Sequence, residues 1–210
     1  MDTLPNDGHE FYARKFSGLN FAAALLAGKE VAGKEVAGKE FESCEFSQCD
    51  FSQARLTGCK FIDCRFTGCN LSLVDVANAH FRGVEFAGCK LVGVNWTKAS
   101  WPRLILAPPL QFRECVIDES SFFGLQLEEV AIEACKAREV DFREANFSGA
   151  KFACSDLTNS LFGRTSLRGA DFTEAVGYRI DIFDNDIKNA RFSRNEAIRL
   201  LDSLPIELVD

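Results

Sequence analysis

The chain has 210 residues, of which 47% are hydrophobic and 26% charged, as expected for a single globular domain. It contains no apolar run of the roughly 18 residues that a membrane-spanning helix needs. The acidic N-terminal extension, residues 1–10, lacks the apolar core of a secretory signal, so we expect a cytoplasmic protein that does not insert into a membrane.

An apolar side chain recurs at every fifth position from Phe11 to Leu106. After the pair Pro108–Pro109 the same period continues one residue out of phase, from Phe112 to Phe192. A period of five fits neither the helical period of about 3.6 nor the strand period of 2. It requires a chain that turns a corner every five residues, which predicts a solenoid over residues 11–192.

The residue two places before each apolar centre is usually small, and we expect it to point inward too. One large and one small side chain per unit can fill a narrow core at normal packing density. Four units that close a square use about 20 residues, and the coils then stack at the strand spacing of about 4.8 Å. The repeats predict about nine coils and a rod about 45 Å long.

Three near-identical units between residues 29 and 40 place Lys29, Lys34 and Lys39 at the small inward position. Burying an unpaired lysine is unfavourable. Either these side chains extend outward to water, or this stretch loops out of the coil, and the sequence leaves both open.

Eight of the nine cysteines occupy the small inward position, and only Cys154 does not. Cys49, Cys69 and Cys89 are each separated by one predicted coil and should stack as a ladder. We interpret these cysteines as small buried side chains of a reduced protein. Because the C-x-x-C spacing of a zinc site is absent, we expect no metal and no cofactor.

The register slip at residues 107–111 includes two prolines, which cannot donate to a backbone ladder. We therefore expect a kink or bulge at this point, with no long loop.

Catalysis is the weakest of the functional hypotheses. The two histidines, His9 and His80, lie before the first coil and at an outward position. No nucleophile, phosphate-binding or dinucleotide motif is present. Since Phe and Leu should fill the interior, no pocket for a substrate is expected, and we expect that the protein is not an enzyme.

The charge is unevenly distributed. Residues 1–106 carry 12 acidic and 12 basic side chains, whereas residues 107–210 carry 19 acidic and 12 basic ones, so the whole net charge of −7 belongs to the second half. One interpretation is solubility. The other is an acidic rod that imitates DNA in the basic groove of a partner, rather than a protein that binds nucleic acid itself. The candidate partner-binding carboxylates are Glu114, Asp118, Glu119, Glu128, Glu129, Glu133, Glu139, Asp141, Glu144, Asp181, Asp184 and Asp186.

The segment 193–210 follows the last repeat. Ser193 or Asn195 can cap a short amphipathic α-helix that Pro205 ends, and residues 206–209 alternate like a strand. The segment serves either only as a cap on the open last coil or also as a twofold dimer contact. The candidate dimer residues are Leu200, Leu201, Leu204, Ile206 and Leu208.

Units such as Cys49-Asp50-Phe51-Ser52-Gln53 and Ala170-Asp171-Phe172-Thr173-Glu174 resemble those of the pentapeptide-repeat proteins. The resemblance implies an all-β fold, a right-handed quadrilateral β-helix. The stretches 93–102 and 178–188 and the tail 206–210 look like the albicidin-resistance members of the family. That resemblance implies a homodimer joined through its C-terminus and binding to DNA gyrase, with topoisomerase IV as a further candidate, in place of DNA. It implies protection from topoisomerase poisons such as albicidin or quinolones. The alternative is a pentapeptide-repeat scaffold or effector that binds another protein.

Overall fold

The computed structural model describes residues 10–12, 14–17, 24–26, 29–31, 38–102, 108–207 and 209. They form a β-solenoid of about seven turns with a short 3₁₀-helical segment at the C-terminal end, which confirms the predicted β-helix. Its strands are β1 (Glu10–Tyr12), β2 (Lys15–Ser17), β3 (Ala24–Leu26), β4 (Lys29–Val31), β5 (Glu40–Glu42), β6 (Glu45–Ser47), β7 (Lys60–Ile62), β8 (Arg65–Thr67), β9 (His80–Arg82), β10 (Val84–Ala87), β11 (Leu110–Arg113), β12 (Ala131–Glu133), β13 (Asp171–Phe172) and β14 (Arg191–Phe192). The 3₁₀ helices are η1 (Trp96–Lys98) and η2 (Glu196–Ser203).

Four faces run along the solenoid, and we number them in chain order. Face 1 contains β1, β5, β7 and β9, which pair in parallel in that order. Face 2 contains the parallel sheet β2-β6-β8-β10-β11-β12 and, further on, β13 and β14. Face 3, centred on residues such as Leu71 and Ile117, and face 4, centred on residues such as Val76 and Phe142, pair through single parallel bridges.

Successive coils are joined by a regular backbone ladder, as three bonds on face 4 illustrate. The Leu56 N–H donates to Asp75 O at 2.8 Å, and the Asp75 N–H donates back to Ala54 O at 2.9 Å. The Gly58 N–H, at the corner, donates to Ala77 O at 2.9 Å. Since each bond joins residues about one coil apart, the side chains form rows that repeat once per coil.

Most corners use a residue with positive φ, two places after the apolar centre. Gly58 and Gly93 occupy this position with φ of 67° and 69°. Glycine adopts this conformation without steric cost, which explains its frequency there.

The core is built from the two inward residues of each unit, as predicted. On face 2 the rings of Phe46, Phe66, Phe86 and Phe112 stack with centroids 4.6, 5.0 and 5.3 Å apart. These side chains are at most 1% exposed. The interior is therefore packed with side chains along this row.

The buried cysteines do more than fill space. The Cys69 N–H donates to Cys89 Sγ at 3.3 Å, and the Cys89 thiol donates to Phe66 O at 3.4 Å. Ser155 makes the same pair of contacts one coil beyond Cys135. The hydrogen bond with Cys115, together with burial, raises the pKa of Cys89 to about 12. The inward thiol thus satisfies a corner amide of one coil and a carbonyl, and it stays protonated at neutral pH.

The coil number is about seven, and the expectation of about nine is wrong. The first coil is longer than a regular one, because Glu10 pairs with Glu40 and Lys15 with Glu45, whereas Glu40 pairs with Lys60. Its two additional five-residue units include part of the antiparallel hairpin of β3 and β4. Looping out is therefore supported at Lys29, which lies in the antiparallel pair, whereas Lys39 lies in the solenoid with its Nζ 5.7 Å from the centroid of the Phe11 ring; Lys34 itself lies outside the described residues.

A second lengthened coil surrounds the proline pair. Val84 pairs with Leu110 and Phe86 with Phe112, a spacing that exceeds the regular coil by one whole unit plus one residue. Because a whole unit leaves the period unchanged, the sequence reveals only a one-residue change of phase. The coil is therefore longer than a regular one by six residues, more than the one-residue slip that the sequence indicates. Residues 103–107 lie outside the described residues.

The C-terminal end differs in detail from its prediction. The helix η2 is a 3₁₀ helix, and Asn195 makes no side-chain capping bond to it. A short, weakly capped segment commonly tightens to this geometry. Ile206, Glu207 and Val209 form no strand with any of the described residues.

We predict that Cys89→Ala destabilises the protein by about 1–3 kcal/mol more than Cys89→Ser, because alanine leaves the Cys69 amide and the Phe66 carbonyl without their buried partner. Serine keeps both bonds, as Ser155 does naturally. Urea unfolding of the two variants measures the difference. Equal free energies of unfolding would contradict the proposed role of the thiol.

Candidate functional site: an acidic face

The structure brings six of the twelve predicted carboxylates onto face 4 and its two edges in the C-terminal half. Ser121 pairs with Asp141 and Asp141 with Leu161, which fixes this row of side chains. We call the set the acidic face: Glu119, Glu139, Asp141, Glu144, Asp181 and Asp184. All six side chains are exposed or half-buried.

The other six candidates are distributed around the solenoid. Asp118 lies on face 3, Glu133 on face 2, and Glu128 and Asp186 on face 1. Glu114 and Glu129 occupy corners away from face 4. The predicted acidic surface is therefore not one patch.

Asp118 is held within the protein surface. It is 9% exposed, and it accepts hydrogen bonds from the Arg138 backbone N–H at 2.9 Å and from Arg138 Nε at 3.1 Å. Its carboxylate is thus occupied by the neighbouring coil, which leaves little of it for a partner.

Ion pairs divide the twelve carboxylates into two groups. Five of the carboxylates form ion pairs with arginine: Asp118 with Arg138, Glu133 with Arg113, Asp141 with Arg143, Glu144 with Arg164 and Asp186 with Arg168. Among the described residues, no lysine or arginine nitrogen lies within 4.0 Å of the other seven. On the acidic face, the unpaired carboxylates are Glu119, Glu139, Asp181 and Asp184.

Three glutamates of the acidic face adopt the left-handed conformation. Glu119, Glu139 and Glu144 have φ of 59°, 58° and 58°. In the preceding coil, Gly93 occupies the same corner position as Glu119, and the Gly93 N–H donates to Asp118 O at 2.9 Å. A residue other than glycine is strained there by about 1–2 kcal/mol. Gln53 and Leu73, on the same row in earlier coils, also have positive φ, of 56° and 57°, so the conformation belongs to the corner and is not specific to the acidic face.

Asp141 and Arg143 form the best-defined pair of the face. Arg143 Nε donates to Asp141 Oδ1 at 2.9 Å, and Arg143 Nη2 donates to Asp141 Oδ2 at 2.9 Å. This hydrogen bonding holds the pKa of Asp141 below its ordinary value. The guanidinium also lies over the Phe123 ring, 5.9 Å from its centroid.

Exposed apolar side chains accompany the carboxylates. Phe183 is 74% exposed, Leu161 47% and Phe123 40%. They occupy outward positions beside the apolar centres, which the five-residue period predicts to be polar. Sequence reasoning missed them for this reason.

The candidate dimer residues have different environments. Leu200, Leu201 and Leu204 are half-buried, and Leu200 packs against the core of its own subunit. Ile206 is 54% exposed, whereas Leu208 lies outside the described residues. Ile198, which was not among the candidates, is also 54% exposed on η2.

A family model described as a pentapeptide repeat region matches residues 39–108 and 100–172. The chain belongs to the pentapeptide-repeat family. No curated protein gives a significant match. Within the described residues, no helix is both long and apolar enough to cross a bilayer.

Solved structures of the same fold include two that align over most of this chain. A trypsin-treated form of QnrB1, a plasmid-mediated fluoroquinolone resistance protein, is 20% identical with a TM-score of 0.60, covering 96% of this chain and 92% of its own. HetL, which is involved in heterocyst differentiation regulation in the cyanobacterium Nostoc, is 14% identical with a TM-score of 0.54, covering 87% and 84%. At these identities the likeness shows the fold alone.

We predict that Arg143→Gln raises the pKa of Asp141 toward its ordinary value, because the two charge-assisted hydrogen bonds are lost. The depressed folded-state pKa means that the pair stabilises the protein above the unfolded-state pKa, and that this contribution is lost as the pH falls through the folded-state value. Carbon-detected NMR titration of the Asp141 carboxyl measures the shift, with Asp186 as the internal control. An unchanged Asp141 titration would contradict the assignment.

Proposed function

We propose that the protein binds DNA gyrase, with topoisomerase IV as a second target, in the place of DNA, and so protects the enzyme from topoisomerase poisons. The observation that carries the proposal is the acidic face. Its six carboxylates extend over three coil spacings, or about 15 Å, which is one per roughly 2.5 Å. Duplex DNA has about one charge per 1.7 Å of axis, and one strand has about one per 3.4 Å.

Ion pairing with arginine reduces the density of negative charge on the acidic face but does not abolish it. The four unpaired carboxylates correspond to about one charge per 4 Å, close to that of a single DNA strand. Such a rod complements a basic groove and would accelerate its encounter with the enzyme. Since the carboxylates are carried by a stacked backbone, little backbone ordering is needed on binding.

The two classes of poison in this proposal, quinolones and albicidin, come from two resemblances of the chain. QnrB1 is a fluoroquinolone resistance protein by its description. The stretches 93–102 and 178–188, which resemble albicidin-resistance members, contain Trp96 and Tyr178, both almost completely buried. These stretches support a shared coil architecture, and the proposal of albicidin or quinolone protection rests on them together with the acidic face.

A cytoplasmic location follows from this proposal, because gyrase acts on the chromosome. A role in binding also agrees better with the packed interior than catalysis does. The described core residues form a continuous cluster of buried side chains, from Phe11 to Ile180.

The second candidate is a scaffold or effector with another protein partner. The similarity to HetL, with a TM-score near that of QnrB1, supports it, because one fold serves unrelated tasks in this family. Recovery of a partner other than a topoisomerase subunit in an affinity capture experiment would favour this candidate.

We predict that the double variant Glu119→Lys/Glu139→Lys loses gyrase protection. It reverses two unpaired charges on one corner of the acidic face. The matched control is Glu128→Lys/Glu129→Lys, which reverses two charges on and beside face 1. DNA supercoiling by gyrase, with and without albicidin or a quinolone, measures protection; the first variant should lose it at least about tenfold, as expected from a loss of about 1.4 kcal/mol or more in binding.

The control should retain most of its protection, since its two charges lie on face 1 and on the corner of face 1 away from face 4. Equal losses in both variants would contradict a specific role of the acidic face. Circular dichroism should show that both variants remain folded.

We also propose that the subunits form a homodimer through the C-terminal segment 193–210. Ile198, Ile206 and Val209 are the exposed large apolar residues among the described residues of this segment, and a partner subunit can cover them. Ile198→Asp/Ile206→Asp should therefore produce monomers. Leu73→Asp, at an equally exposed site far from the cap, is the control. Sedimentation equilibrium measures the mass, and a double variant that remains dimeric would contradict this contact.

A further inference from the structure

Three consecutive copies of one five-residue unit precede Phe41. They are Leu26–Glu30, Val31–Glu35 and Val36–Glu40, and they differ only in their first residue. Nothing in the acidic face or in the C-terminal contact accounts for this repetition.

The first coil exceeds the ordinary length by two of these copies. Glu10 pairs with Glu40, whereas Glu40 pairs with Lys60. The first of these spacings is longer than the second by two five-residue units. The excess is therefore a whole number of copies.

The described part of the third copy, residues 38–40, lies in the solenoid. The Gly38 N–H donates to Thr57 O at 2.9 Å, as the Gly58 N–H donates to Ala77 O one coil later, and both glycines have φ of 67°. Glu40 forms an ion pair with Lys60 across the same ladder.

The first copy has a different structure. Lys29, Glu30 and Val31 form β4, which pairs antiparallel with Ala24–Leu26 instead of stacking on a coil. The Lys-Glu end of the unit therefore lies in the coil ladder in the third copy and in an antiparallel pair in the first.

We propose that two of the three copies are surplus to the fold, and that this side of the first coil is a point where the solenoid accepts or loses whole five-residue units. Deletion of residues 27–36 joins Leu26 to Ala37 and retains one copy. Phe11, Phe16, Phe21, Leu26 and Phe41 then follow one another at five-residue spacing, which closes a regular four-unit coil in the correct phase.

A series of full-length chains with one, two, three and four copies tests the inference. Loop-closure entropy changes slowly with loop length, so the melting temperature should stay within about 4 °C across the series. The control is a deletion of residues 51–60, which also removes two units but takes them from a regular coil. Every later side chain is then moved by two faces relative to the coils before the deletion.

The control should lose its cooperative melting transition or melt at least about 10 °C lower. A one-copy chain that melts within about 4 °C of the natural chain, or above it, supports the proposal. A one-copy chain that is destabilised as strongly as the control would overturn it, since the additional copies would then be part of the folded core.

Discussion

The structure depends on one constraint, the hydrogen-bonded ladder that joins each coil to the next. It holds only if the chain turns a corner every five residues, and most of these corners take a residue with positive φ. Because the ladder is parallel and in register, a side chain has its nearest neighbours one coil before it and one coil after it in the chain. The stacked phenylalanine rings, the linked thiols and the ion pairs between coils are consequences of this one spacing.

The spacing also explains how much of the fold the sequence could predict. The apolar period predicted the β-helix, the inward cysteines and the ladder of Cys49, Cys69 and Cys89. It could not reveal insertions made of whole units, because a period is unchanged when one or two units are added. Leu26 and Val31 therefore counted as successive coil positions, although they pair with neighbouring strands in an antiparallel arrangement, as parts of β3 and β4. The same limitation concealed the whole unit that is added near Pro108, where only the single extra residue changed the phase.

The sequence predicted the negative charge of the candidate site but not how its carboxylates are arranged. Counting charges located the acidic excess in the C-terminal half, whereas only the register shows that Glu119 and Glu139 share a corner and Glu133 lies on another face. Pairing is also invisible in the sequence. Asp118 and Arg138 lie one coil apart and neutralise one another, while Glu119 has no such partner among the described residues. The exposed ring of Phe183 was missed because outward positions were assumed to be polar.

A protein that replaces DNA on gyrase must compete with DNA for the same groove, and this is the central claim. Fluorescence anisotropy of a labelled DNA duplex bound to gyrase tests it directly. We expect the natural protein to displace the duplex, with an apparent affinity that weakens as the salt concentration rises, since charge complementarity drives the encounter. Binding to gyrase without displacement of the duplex, or no binding at all, would contradict the account.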